Sequence, residues 1–411
     1  MNFKNIFWNS YLTYNVIIQG NKNIFEVLDM YRITDFKVLD EIKVEECALS
    51  LYKLNLNRKN ANKITSDKNV FVEENNVVNA FDYPKSNQLS VLTNFHNKKQ
   101  AVFEKQKSNN IFLKEKTKHW NLSLISGVKN IKYNLSTKFN DVIIYILDTG
   151  IDKTHDEFKN AQIEGFNILK NNKNYHDDNG HGTHVAGIIA GKTTGVLSNF
   201  AKLKILKVLD KNGKGEMFDL YKALLIIVKD KVKKKESHFV VNISIAGKRE
   251  NLLNKLINII ANKFNIHFVT AAGNSNKNSC RFSPGSSCAS ITVGAIDKNC
   301  QIPDFNNNGN CVDIYAPGDK ITSANFQHNK IFGYFSFPSL FYPKHIKMSG
   351  TSMAAPHVSG VVAFYLLLAK FSPLELKNKI IKDSETITAN DIKINVVSLR
   401  KIIKRLESNK L

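Results

Sequence analysis

The chain has 411 residues, 58 of them Lys or Arg against 36 Asp or Glu, for a net charge of +22, and 43% are hydrophobic. That length allows two domains, and that apolar content excludes a chain too polar to bury a core. Despite the charge, no nucleic-acid partner is expected: lysine and asparagine are scattered throughout, densest at Lys229–Lys235 and over 83–118, with no RNP-type or zinc-finger motif.

Met1–Ser10 carries a lysine but no sustained apolar core, so no secretory leader is legible there. Residues 11–82 alternate apolar runs and helical segments: Tyr14–Ile18, Ile24–Tyr31, Phe36–Val44, Ala48–Leu56, and a closing run Val70–Val78. This predicts a small α+β domain. Residues 83–118 are rich in Lys, Asn, Gln and Ser and predict a flexible linker open to proteolysis, with a short helix over Ile111–Lys116. From 119 to 411, strands at 142–147, 203–209, 238–244 and 266–271 alternate with helices starting at His181 and over 216–232 and 250–264. That order predicts βα units, hence an α/β domain with a parallel sheet and helices on both faces. Ser372-Pro373 opens a later helix with Pro at its first position, and Val396–Leu406 is expected to form another. Val358–Ala369 is too short to span a bilayer and reads as a core helix, so no transmembrane segment is expected.

Chemistry concentrates in a few segments. The apolar run Val142–Leu147 ends in Asp148-Thr149-Gly150-Ile151-Asp152, placing Asp148 at the carboxyl end of a core strand, where open α/β sheets set their sites. His181-Gly182-Thr183-His184 opens an apolar helix. Gly350-Thr351-Ser352-Met353-Ala354-Ala355-Pro356-His357 sets a serine at the mouth of another, where the backbone N–H and the helix dipole favour negative charge. A serine hydroxyl is a weak nucleophile, so an imidazole must take its proton and a carboxylate must fix the imidazole tautomer; Asp148, His181 and Ser352 supply that set. His181 and His184 as a metal pair are disfavoured, since no third ligand follows at the right spacing. Five cysteines are present, with Cys280, Cys288, Cys300 and Cys311 clustered and Cys47 apart. Without a C-x-x-C pair, zinc is disfavoured against disulfides, which imply an oxidising compartment.

The segments DTGID, HGTHVAG and GTSMAAPH, in that order and with Thr270-Ala271-Ala272-Gly273-Asn274 between the last two, resemble the subtilisin family of serine proteases from about Trp120 to the C-terminus. The pattern is most similar to the branch containing proteinase K. The resemblance implies a subtilisin-like α/β catalytic domain over 119–411 and gives Asn274 the role of oxyanion donor beside the Ser352 N–H. It makes residues 11–82 similar to the family's inhibitory propeptide and places a processing site in the linker over 83–118. Substrate contacts carry over to Ser244-Ile245-Ala246-Gly247, where Ala246 stands in place of a glycine, and to Ala271, Ala272 and Gly273, with Ser283-Pro284-Gly285 nearby. It further implies a disulfide between Cys280 and Cys311, leaving Cys288 and Cys300 as a remaining pair by subtraction. Asp313 corresponds to a calcium ligand of some relatives, with nearby carbonyls; no cofactor is implied for catalysis. Asn-x-Ser sequons stand at Asn121, Asn134 and Asn242, the last expected to be buried.

The implied activity is that of a serine endopeptidase made as a zymogen, acting on polypeptides and held by its own propeptide, in a secreted or endomembrane setting. Because the pocket segments contain no carboxylate, cleavage after apolar residues is expected. A convertase cutting at dibasic sites and a catalytically silent binding protein that keeps its propeptide are the alternatives.

Overall fold

The computed structural model describes residues 12–20, 22–44, 48–80, 111–113, 119–126, 131–133, 140–159, 161–198, 201–326 and 343–408. The N-terminal unit runs β1 (Leu12–Gln19), α1 (Ile24–Met30), β2 (Lys37–Val44), β3 (Leu49–Leu56), α2 (Arg58–Ile64) and β4 (Val70–Glu74), then β5 (Val77–Ala80). There follow β6 (Ile111–Leu113), α3 (Trp120–Ser126), β7 (Ile131–Tyr133), β8 (Val142–Asp148), β9 (Gln162–Asn167), α4 (His181–Ala190), β10 (Lys202–Lys207) and β11 (Lys214–Glu216). Next come α5 (Met217–Lys233), β12 (His238–Ile243), β13 (Ile245–Lys248), α6 (Asn251–Phe264), β14 (Ile266–Ala271), β15 (Phe282–Ser283), β16 (Ser290–Ile296), β17 (Ile314–Pro317) and β18 (Ile321–Ala324). The chain closes with β19 (His345–Met348), α7 (Thr351–Leu368), α8 (Pro373–Asp383), β20 (Glu385–Ala389), β21 (Ile392–Val396) and α9 (Arg400–Glu407).

The main sheet has the order β20-β21-β17-β16-β14-β12-β8-β10-β9 and is parallel except for β20. All seven residues of β8 are buried, as a strand covered on both faces requires. Side chains of a strand alternate between faces. Ile144 and Ile146 therefore join one core with α4 and α7, while Ile143, Tyr145 and Leu147 join the other with α5 and α6. Strand β8 lies between β10 and β12, so the chain leaves it in both directions, and such a switch point opens a crevice at the carboxyl ends of the strands. Helix α7 is apolar along its length because the main sheet and its neighbouring helices enclose it. Among the described residues it is the helix long and apolar enough to cross a membrane, but it is packed inside the domain.

The N-terminal unit is an antiparallel sheet of order β2-β3-β1-β4. Val16 and Ile18 of β1 face α1 and α2, whereas Ile17, with Leu49 and Leu51, packs into the core of α5 and α6. Strand β5 leaves this sheet and runs antiparallel between β11 and β13.

Three expectations change. The run Val70–Val78 is two strands in different sheets, because Asn75 and Asn76 turn to bond Phe218 and Met217 at the start of α5. Ile111–Leu113 is a strand paired with β7 rather than the start of a helix; residues 114–118, like 83–110 of the expected linker, lie outside the described residues. Val396 closes β21 by pairing with Tyr315, which delays the last helix to Arg400.

Candidate active site

Asp148 and His181 meet at the carboxyl end of β8. The His181 Nδ1 lies 2.7 Å from Asp148 Oδ1, both side chains being fully buried. An ionised carboxylate only accepts, so the Nδ1 carries the proton and Nε2 is the basic nitrogen. The contact requires α4 to lie directly on the Asp148-Thr149-Gly150 turn: a Cβ on Gly182 would stand 2.2 Å from the Gly150 carbonyl. Gly150 itself has φ of +116°, which favours glycine.

A residue not singled out from the sequence fixes this arrangement. Fully buried Asp177 accepts from the Thr149 hydroxyl (2.8 Å) and the N–H groups of Asn179 (3.0 Å) and Gly180 (2.9 Å) on one oxygen. Its other oxygen accepts from the N–H (2.9 Å) and hydroxyl (2.6 Å) of Thr183. Burial alone would raise its pKa, but the Thr183 hydroxyl and these N–H groups outweigh it and hold Asp177 below the usual carboxylate range. Asp177 thus ties the residue after Asp148 to the helix start that carries His181. The available signal was an acid just before a helix N-terminus, which also fits an ordinary loop.

Ser352 sits in the first turn of α7, and α7 packs beside α4. Its Oγ donates to the Ser244 carbonyl at 3.0 Å, and the Ser244 hydroxyl donates back to the Ser352 carbonyl at 3.0 Å. Asn274 is oriented from the same helix start: its Oδ1 accepts from the Thr351 N–H and hydroxyl, each at 2.8 Å. Since an N–H can only donate, this fixes which end of the amide is oxygen and turns the NH2 the other way. Thr351 also accepts from the Gly273 N–H at 3.0 Å. Buried Asn307 braces the loop from below, donating to the Ala272 carbonyl (2.9 Å) and accepting from Ser275 (3.0 Å) and Lys277 (2.9 Å). Neither bracing role was legible in the sequence.

Ser244, Ile245, Ala246 and Gly247 form the edge next to Ser352, with Ala271, Ala272 and Gly273 at the end of the neighbouring strand β14. A Cβ on Gly273 would lie 3.8 Å from the Ala246 methyl, so that methyl faces the opposite segment and narrows the gap. Strand β5 pairs Ala80 with Ile245 and Asn79 with Ala246, and on its other side Asn79 with Lys214. Val78 is buried, and a Cβ on Gly247 would stand 3.4 Å from its Cγ1.

The remaining candidates separate. Cys280 and Cys311 are bonded, with Cα atoms 5.3 Å apart. Cys288 and Cys300 are both free, contrary to the pairing expected by subtraction. They flank β16, seven residues long, and a strand of that length holds its ends about 20 Å apart, beyond disulfide reach. Cys47 lies outside the described residues. Asp313 Oδ2 pairs with Lys377 Nζ at 2.8 Å and accepts from the Thr292 N–H at 2.8 Å, so the groups present there do not fit a bound calcium ion. His184 Nε2 bonds the Ile321 (3.0 Å) and Ile346 (3.1 Å) carbonyls, and burial lowers its pKa to about 3, so it is a neutral packing group. Asn242 is buried as expected; Asn121 is buried too, 2.8 Å from His357 Nε2, and Asn134 lies outside the described residues.

The family model for the subtilases, peptidase S8, matches residues 140–398, more than half of the chain. A subtilase-type proteinase of Schizosaccharomyces pombe is 35% identical over 293 residues, 69% of this chain and 61% of its own length. Cerevisin of Saccharomyces cerevisiae is 34% identical over 269 residues, covering 62% of this chain and 40% of cerevisin. The chain therefore spans less than two thirds of the length of these relatives. The crystal structure of a cold-adapted subtilisin-like serine proteinase matches 68% of this chain and 97% of its own with a TM-score of 0.57 at 29% identity. On the strength of the matched domain and its parallel sheet, the chain belongs to the subtilase family.

Proposed function

We propose that the chain is a serine endopeptidase built as a zymogen, with residues 11–82 as its inhibitory propeptide and 119–411 as its catalytic domain. The observation that carries the activity is the buried His181–Asp148 pair beside the Ser352 helix start. In the mechanism the Ser352 hydroxyl turns from the Ser244 carbonyl to His181 Nε2, loses its proton there and attacks the scissile carbonyl. Asp148 stabilises the imidazolium, and the oxyanion is held by the Asn274 NH2 and the Ser352 N–H. His181 then protonates the leaving amine, and water releases the acyl group by the same steps. No cofactor enters this sequence.

Strand β5 supports the zymogen reading, since it occupies the place of an extended substrate between two edges. Going from Asn79 to Ala80 the partners run from Ala246 to Ile245, toward Ser244, whose carbonyl meets the Ser352 Oγ. The bond to be cut therefore follows Ala80 within a few residues, at or just before the linker. Small and apolar pocket segments favour an apolar residue before the cut, because an Arg or Lys would be buried without a partner. The Cys280–Cys311 bond suits a secretory or endomembrane compartment. Labelling with a fluorophosphonate tests the activity: the wild type should label and Ser352→Ala should not. N-terminal sequencing tests the processing, a new terminus soon after Ala80 being expected only with Ser352 intact. A peptide library showing dominant Arg or Lys before the cut would favour the convertase instead.

A further inference from the structure

Lysines on surface helices ordinarily keep their ammonium in water. Lys377, in the middle of α8, does not. Its Nζ donates to the carbonyl oxygens of Cys288 (3.2 Å) and Ser290 (2.8 Å) and lies 2.8 Å from Asp313 Oδ2. These three oxygens match the three N–H bonds of an ammonium. The Lys377 and Asp313 side chains keep only 13% and 18% of their exposure.

The Asp313 carboxylate and the Ser290 carbonyl are held independently of the lysine. Asp313 accepts from the Thr292 N–H at 2.8 Å and its own N–H donates to the Thr292 carbonyl at 2.9 Å. The Cys280–Cys311 bond anchors the chain two residues before Asp313, and Ser290 begins β16. Two carbonyls two residues apart and a carboxylate form a hard oxygen set, which suits a calcium ion completed by water. Calcium requires oxygens at about 2.3–2.6 Å, so it and the ammonium exclude each other there.

We propose that Lys377 is a tethered cation: its ammonium fills an oxygen site that would otherwise take calcium, and so joins α8 to β16 and β17 without metal. The inference is independent of the proposed activity. Removing the ammonium leaves the oxygens without positive charge, and a divalent cation from solution then takes its place.

Thermal unfolding of the full chain carrying Ser352→Ala, which prevents self-digestion, tests this in chelator and in millimolar calcium. With chelator, Lys377→Met should melt about 5 °C below the Ser352→Ala parent. Calcium should raise the Tm of Lys377→Met beyond any gain it gives the parent, and Asp313→Asn added to Lys377→Met should remove that extra gain. Isothermal titration with calcium chloride should find one more site in Lys377→Met than in the parent. A calcium gain no larger than the parent's overturns the proposal, as does an extra gain that survives Asp313→Asn. If Lys377→Met fails to fold in chelator, recovery in calcium supports the proposal and failure in both overturns it.

Discussion

Asn274 and Asp177 are positioned by hydrogen bonds that each make a distinct demand. The Asn274 oxygen is taken by Thr351, which leaves its NH2 as the end of the amide that the proposed oxyanion role uses. Asn274→Ala should lower kcat roughly 10²–10³-fold with little change in KM, measured on a chromogenic peptide. Asp177 accepts from five donors, and an amide in its place turns NH2 toward N–H groups that themselves donate. Asp177→Asn should cost about 1–3 kcal/mol in urea unfolding and lower kcat through the displaced His181. Unchanged kcat in Asp177→Asn would remove its positioning role.

Helix α6 lacks a side-chain cap of its own, and the cap comes from the N-terminal unit. Glu73 at the end of β4 accepts from the N–H groups of Asn251 (3.0 Å) and Leu252 (2.6 Å), bringing its carboxylate against Glu250. Burial, then the hydrogen bond and charge of Glu73, raise the Glu250 pKa from 4.5 to about 8. A carboxyl raised in the joined state holds its proton only while joined, so the contact is strongest below the ordinary value. It weakens as pH rises from about 4.5 to about 8. In the Ser352→Ala chain, stability of this contact followed by hydrogen exchange of α6 should fall across that window, and Glu250→Gln should flatten the profile. The Cys280–Cys311 bond closes a loop with a sequence separation of 31. Replacing both by serine should lower stability by about 3–4 kcal/mol in the chain-entropy account, readable by denaturant unfolding.

At the scale of the molecule, the N-terminal unit docks through one face of its sheet and through its last strand. Ile17, Leu49 and Leu51 pack on the α5–α6 layer, Asp40 pairs with Lys222 at 2.8 Å, and Lys53 pairs with Glu216. Val78 adds an apolar side chain buried beside Gly247 and Met217. Burying a valine stabilises by roughly 1.5–3 kcal/mol, so its replacement by aspartate should weaken docking at least tenfold. If the linker of the Ser352→Ala chain is cut by an added protease, the N-terminal piece should co-elute on gel filtration. The piece carrying Val78→Asp should separate. Co-elution of both would mean that β5 contributes little to the hold.

Local sequence determined the parts of this protein whose causes are local. Apolar runs such as Val142–Leu147 dictated buried parallel strands, and Ser372-Pro373 with Glu375 dictated a capped helix start. Asp148, His181 and Ser352 were legible as candidates because each ends a strand or opens a helix with a characteristic set of small neighbours, and Asn274 through the resemblance of its segment, just after β14, to the family motif. Tertiary structure decided what depends on contacts between distant segments. The run Val70–Val78 divides because Asn75 and Asn76 meet α5, more than a hundred residues later, which no periodicity records. Asp177 reads as a loop acid until Thr149 and Thr183 close on it, and Asn307 reads as one of many asparagines until the Ala272 carbonyl reaches it. Cys288 and Cys300 stay apart because an extended strand separates them. Asp313, read as a metal ligand, meets a lysine instead, since only the packing of α8 against β16 brings that charge to its oxygen.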